Sequence, residues 1–269
     1  MTHIDTTSPT VAAWREYLIE GALLGLFLCS ACTVAVLLGY PSGLLHGVFP
    51  DAFSARVFAG VAMGLTAIGL IRSPWGKQSG AHMNPAVTLT FAVLGKVAPG
   101  RALGYMAGQF AGAILGVLTA WILIGAPLAH YQVNFAVTAP GVDGPGAAFW
   151  AEVVISFLMM SMVLWTSNSK RFARWTPYGA ATLVALFITF ENPYSGMSMN
   201  PARTFGSAFA AGQWQHLWVY FAAPPLGMLA AATVYKLLPG ARRVYCAKLD
   251  HHGHQRCLFR CQYGDLDAE

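Results

Sequence analysis

SGAHMNPAVT, residues 79–88, returns as SGMSMNPART at residues 195–204, with seven of the ten positions identical and no gap. In each copy Asn precedes Pro-Ala and a short apolar stretch follows, Ala86–Gly95 in the first and Ala202–Gly212 in the second. Asn is a favoured helix N-cap because its side-chain oxygen takes an N–H that has no partner in the first turn. Pro suits the first helical position, where its missing N–H would go unpaired anyway. Each phrase therefore predicts a helix start. At 1.5 Å per residue such stretches rise about 16 Å, roughly half of a ~30 Å hydrocarbon layer, and two end to end cover it. The pattern predicts two re-entrant half-helices that enter from opposite faces and meet at their capped N-termini. Non-helical loops at that depth are tolerated only where protein buries them or they line a watery path.

The composition agrees with a membrane setting. The chain is 56% hydrophobic and 10% charged, against about 25% charge in a soluble domain. Apolar runs at 17–39, 57–71, 102–125, 147–166, 178–190 and 217–238 predict six transmembrane helices, most near the ~20 residues a span needs. The run at 178–190 is short and is expected to borrow Trp175–Pro177 or to tilt less. The first thirteen residues are polar and lack the basic start of a secretory leader.

With six spans both termini share a side. Fourteen Lys and Arg residues fall on that side, and only Arg56 and Arg203 on the other. This bias predicts a multi-pass protein of the cell (inner) membrane with both termini cytoplasmic. The net charge of +5 then reflects topology and does not point to nucleic acid.

The two phrases sit in a longer repeat. Each half opens on a helix with an acid in apolar surroundings, Glu20 in YLIEGALLG and Glu152 in FWAEVVISF. A second helix, the Asn-Pro-Ala phrase and a third helix follow. Three spans is an odd number, so the second half enters the membrane inverted, and inverted repeats place their functional site at the midplane. The expected organisation is an N-terminal tail over 1–13, a channel domain over 14–238 with halves of about 14–125 and 147–238, and a C-terminal tail over 239–269. The fold class is an all-α membrane protein, six spans plus two half-helices.

The doubled Asn84-Pro85-Ala86 and Asn200-Pro201-Ala202, the Arg203 directly after the second motif, and the paired Glu20 and Glu152 resemble the aquaporin (major intrinsic protein) family, in the manner of its bacterial-type water channels. The resemblance spans residues 14–238. It implies a pore through each monomer, a homotetramer, and a narrow filter formed by four positions. Matched outward from the motifs, these are Met63 (or Gly64, since the segment before Ser79 is one residue longer than usual), Ile188, Met197 and Arg203. Strict water channels of the family carry an aromatic at the first position and His at the second, and this sequence has neither. Thr204 stands where glycerol facilitators have Asp, and Tyr220–Phe221 resembles the water-channel branch. The implied filter is wide and apolar, passing water and small neutral solutes such as ammonia, urea or glycerol.

Physical chemistry supports proton exclusion independently. Each half-helix N-terminus carries about +0.5 elementary charge, which opposes cations at the midplane. Amide donors of Asn84 and Asn200 would orient a central water so that it donates away from both, breaking a proton-conducting chain. Arg203 is expected in the outer pore, because a charge inside a membrane segment marks a pathway. Glu20 and Glu152 are expected to accept hydrogen bonds from the re-entrant loops. Gly104, Gly108, Gly112 and Gly116 recur at every fourth position, the spacing of close helix contacts.

The tail CAKLDHHGHQRCLFRC, residues 246–261, offers Cys246, His251, His252, His254, Cys257 and Cys261. A structural zinc on Cys246, Cys257 and Cys261 with His251 or His252 is one reading. A basic tail lying on an anionic membrane surface is the other. Transport itself is expected to need no cofactor. A secondary transporter or a non-conducting membrane scaffold of the same fold are the rival functions, and no nucleophile–base pair in the spans suggests an enzyme.

Overall fold

The computed structural model describes residues 13–238, 243–251 and 257–264. The chain forms α1 (Ala13–Gly39), α2 (Ala52–Arg72), α3 (Pro74–Ser79), α4 (Pro85–Val93) and α5 (Pro99–Ile124). After the short α6 (Ala126–Ala129) the same order repeats as α7 (Gly144–Ser167), α8 (Thr176–Phe190), α9 (Asn192–Ser195), α10 (Pro201–Ala211) and α11 (Leu217–Leu237). Among the described residues there is no strand.

Five of these helices, α1, α2, α5, α7 and α11, are long and apolar enough to cross a membrane. The sixth expected span, α8, gains Thr176 and Pro177 at its start but still has only 15 residues, or about 22 Å of rise. It occupies the place in the second half that α2 holds in the first, and the two lie along each other. The half-helices begin at Pro85 and Pro201, directly after their asparagines, as the capping argument requires.

Three helix pairs carry the bundle: α1 with α5, α7 with α11, and α2 with α8. The first pair explains the glycine stripe of α5. A Cβ placed on Gly116 would lie 2.5 Å from the Cα of Gly25, and one on Gly112 would collide with the backbone of Gly21. Outer positions such as Leu18, Leu65 and Ile122 are exposed and apolar.

The chain after α11 does not trail away. Seven consecutive residues, Val244–Asp250, are each less than 9% exposed. They pack beneath the bundle on the face that carries Lys77 and Lys96. His252, named above as a metal-ligand candidate, and the neighbouring His254 lie outside the described residues.

Candidate functional site

Both re-entrant loops follow one plan. A short helix, α3 or α9, ends on a glycine in the left-handed region, Gly80 at φ 101° and Gly196 at φ 76°. Two further left-handed residues follow in each, Ala81 and Met83 at φ 56° and 48°, Met197 and Met199 at φ 50° and 53°. Backbone in this region costs on the order of 1 kcal/mol per non-glycine residue, so something must hold it.

Glu20 and Glu152 do. Glu20 Oε1 accepts from Ser79 Oγ at 2.6 Å and His82 N at 3.0 Å, and Oε2 from Met83 N at 2.6 Å and Gln109 Nε2 at 2.9 Å. Glu152 repeats the pattern. It accepts from Ser195 Oγ, Ser198 N and Met199 N, all at 2.7 Å. Both carboxylates are fully buried. A second repeat was not foreseen: Tyr105 Oη donates to Ser79 O at 2.6 Å, and Tyr220 Oη to Ser195 O at 2.5 Å. The two tyrosines stand at like distances after their motifs, a signal that was present in the sequence. The acid reading also needs extending. Glu16 on α1 is buried as well, and Glu191 Oε1 lies 2.5 Å from the Ser195 hydroxyl that also faces Glu152, while its buried Oε2 has no hydrogen-bond partner among the described residues.

Where the loops meet, Asn84 Oδ1 accepts from Ala86 N at 2.8 Å, and Asn200 Oδ1 from Ala202 N and Arg203 N at 3.1 and 3.2 Å. These caps point the amide nitrogens at the opposite half. Asn84 Nδ2 donates to Met199 O at 2.6 Å, and Asn200 Nδ2 to Met83 O at 2.7 Å. An amide nitrogen has two hydrogens, so each asparagine keeps one for the cavity beside it.

That cavity, about 430 Å³, runs past both asparagines. Met63, Ile188, Met197 and Arg203 all line it. Gly64 does not; a Cβ there would sit 2.8 Å from Ala181 O of α8, so of the two alternatives Met63 faces the cavity. Arg203 Nη1 donates to Ala136 O at 2.9 Å. Ala136 belongs to a 3₁₀ turn of three left-handed residues, Asn134–Ala136, that carries its carbonyl to the guanidinium. Thr204 is buried between Thr138 and Ser198 hydroxyls, at 2.7 and 2.6 Å.

At the other end of the cavity stand His82 and Leu249. His82 Nε2 lies 2.8 Å from Ala247 O, and because a carbonyl only accepts, this nitrogen carries the proton. Nδ1 lies 3.0 Å from Thr88 Oγ1. The link from His82 to the tail was not legible from the sequence.

The tail brings four of the five expected metal-ligating residues together. The ligand atoms of Cys246, His251, Cys257 and Cys261 lie within 4.8 Å of one another. Cys246 Sγ is 3.3 Å from Cys257 Sγ, and His251 Nε2 is 3.1 Å from Cys261 Sγ. Burial opposes a charged imidazole at His251, but hydrogen bonding with Cys257 and Cys261 outweighs it and lifts the pKa to about 9. Hydrogen bonding to Cys257 and then Cys261 pushes the Cys246 thiol up, while that from Cys246 and then Cys257 holds Cys261 down.

Comparison with known proteins agrees with this geometry. The family model described as Major intrinsic protein matches residues 7–235. Aquaporin A of Dictyostelium discoideum is 31% identical over 241 residues, which cover 86% of this chain and 81% of that protein. Aquaporin NIP1-3 of Oryza sativa subsp. japonica is 34% identical over 179 residues, covering 66% and 60%. The solved aquaglyceroporin from Plasmodium falciparum superimposes with a TM-score of 0.68 at 18% identity, covering 84% of this chain and 97% of that one, a likeness of fold. A doubled capped half-helix inside a bundle of apolar spans, together with a family match over most of the chain, has one reading: this is a multi-pass membrane channel that belongs to the major intrinsic protein family.

Proposed function

We propose that the chain is a passive channel for water and for small neutral solutes, excluding protons and ions. The reciprocal pairing of Asn84 and Asn200 inside the cavity carries this reading. Two half-helix N-termini raise the potential at their junction. One free amide hydrogen from each asparagine then turns the central water's oxygen toward both, so its own hydrogens point along the pore in opposite directions. No proton can hop through a water held so. Arg203 supplies a second barrier to cations nearer the opposite mouth. Met63, Ile188 and Met197 beside it leave an apolar filter, which favours ammonia, urea or glycerol as additional solutes.

Two further features complete the proposal. The basic face, where the tail packs, is cytoplasmic, on the strength of the Lys and Arg asymmetry. The protomer assembles as a homotetramer in the cell (inner) membrane, as the family typically does, and its exposed apolar outer surface suits both lipid and neighbouring protomers. A coupled transporter would need a titratable site open to its substrate, whereas Glu20 and Glu152 are occupied by loop donors.

Reconstituted vesicles given an osmotic step without any ion gradient test the reading. Shrinkage faster than in empty vesicles, with proton flux at the empty-vesicle level, is expected. Water flux no faster than lipid alone, in wild type and in a chain truncated after Leu238, would reject it.

A further inference from the structure

The structure assigns a second site to this chain. We propose that Cys246, His251, Cys257 and Cys261 bind one zinc ion, and that the metal cinches the tail into a plug over the basic-face mouth of the pore. The plug rests on the channel reading; the metal site does not.

The donor set fits zinc. Three sulfurs and one imidazole nitrogen give four ligands, and tetrahedral zinc with Zn–S near 2.3 Å places ligand atoms about 3.8 Å apart. The spread here, within 4.8 Å, brackets that value. The 3.3 Å between Cys246 and Cys257 sulfurs is far longer than a disulfide of about 2.05 Å. No carboxylate enters the cluster, so it favours a soft or borderline cation over calcium or magnesium.

The ligands bracket the parts of the tail that touch the pore. Between Cys246 and His251 runs Ala247–Asp250. There Ala247 O accepts from His82 Nε2, Leu249 N donates to Gly80 O at 3.1 Å, and the Leu249 side chain lines the cavity. Between Cys257 and Cys261 sits Phe259, stacked on the His82 ring at 5.4 Å and 8°. Two arms of the tail thus press on one re-entrant loop, and a single ion would tie both. Further bonds stretch across the mouth. Tyr245 N donates to Asn168 Oδ1 at 2.6 Å beyond α7, Arg260 N to Lys96 O at 3.1 Å after α4, and Lys77 pairs with Asp250 at 3.9 Å. A tail lying on a membrane surface would not bury seven residues in a row. Without metal, three thiols and an imidazole crowded together lose their common partner, and folding of so short a segment loses the free energy that ligation supplies.

Elemental analysis of full-length protein, purified without chelator, should give close to one zinc per protomer. Vesicle shrinkage should rise several-fold when a membrane-permeant zinc chelator is added. Leu249→Ala should conduct faster without chelator while keeping its zinc, and Cys257→Ser with Cys261→Ser should lose the zinc and conduct faster. A ratio near zero in fully reduced protein, or a Cys246–Cys257 disulfide in its place, overturns the metal site. One zinc per protomer with flux unmoved by chelator and by Leu249→Ala overturns the plug. If zinc is bound but neither the chelated protein nor a chain truncated after Leu238 conducts, the channel reading fails and the plug falls with it.

Discussion

Asn84 and Asn200 each donate an amide hydrogen to the carbonyl of the residue preceding the other, Met199 O at 2.6 Å and Met83 O at 2.7 Å. The same two side chains cap α4 and α10 through their oxygens. One residue type therefore starts each half-helix, joins it to its inverted counterpart and fixes where the remaining N–H points. The double change Asn84→Asp with Asn200→Asp keeps the capping oxygens but removes every amide donor and sets carboxylates against carbonyls. Proton and alkali-cation leak should appear in vesicles loaded with a pH-sensitive dye, and the protein should melt at a lower temperature. Each lost bond leaves a carbonyl without its amide donor, at about 1–3 kcal/mol for the buried Met199 O and less for the half-buried Met83 O. Leak equal to that of wild type would remove the asparagines from the exclusion mechanism.

Much of this was legible beforehand because it is local. Asn-Pro sets a helix start by its own chemistry, so the half-helices expected at Ala86–Gly95 and Ala202–Gly212 are found at Pro85–Val93 and Pro201–Ala211. Glu20 and Glu152 stood out as acids in apolar runs, and their loop contacts follow from the need to pair buried N–H groups. What stayed hidden is non-local. His82 meets Ala247 across 165 positions, and no periodicity announces that. Glu191 reads as an ordinary loop acid until α9 folds it back on Ser195. The tail's composition allowed either a surface segment or a metal knot, and its docking under the bundle, which sets Cys246, His251, Cys257 and Cys261 side by side, rests on contacts that composition does not announce.

Among the residues that line the cavity Arg203 is the one guanidinium, and it is tied to Ala136 O at 2.9 Å. Arg203→Val removes the charge and a large side chain from the cavity wall that it shares with Met63, Ile188 and Met197, the proposed filter. Water flux should be retained while urea and ammonia permeability rises several-fold. The comparison is made by light scattering on the same vesicle preparation with each solute in turn. Permeabilities that match wild type would show that the constriction lies elsewhere along the cavity.

The two glutamates should behave as structural groups. Glu152→Gln keeps size but offers one acceptor oxygen in place of two and turns an NH₂ toward a backbone N–H. Ser198 N and Met199 N cannot then both be satisfied, and stability should fall by about 1–3 kcal/mol. Thermal unfolding in detergent reads this as a lower midpoint, and Glu20→Gln should act alike because its loop contacts are the same. Water flux per folded protomer should change little with pH in a chain truncated after Leu238, which carries the glutamates but not the Cys/His tail. A normal melting temperature combined with altered, strongly pH-dependent flux would point to a proton-handling role instead.

The glycine stripe gives a contrast that packing alone decides. A methyl group on Gly112 of α5 would run into the carbonyl and Cα of Gly21, so Gly112→Ala forces α1 and α5 apart along their whole contact. Close approach of two backbones through small residues is what binds membrane helices, since lipid offers no hydrophobic gain for burying larger ones. Gly69 on α2 is also helical, yet a Cβ there meets nothing within 4 Å. Gly69→Ala relieves the helix of a flexible residue and should be neutral or stabilising by about 0.5–1 kcal/mol. Gly112→Ala should instead lower the yield of folded protein and its melting temperature sharply, because neither backbone can give way as a flexible side chain would. Size-exclusion profiles and thermal melts of the two variants, prepared side by side, make the comparison. Equal behaviour of Gly112→Ala and Gly69→Ala would mean that α1 and α5 are not held at the distance seen here.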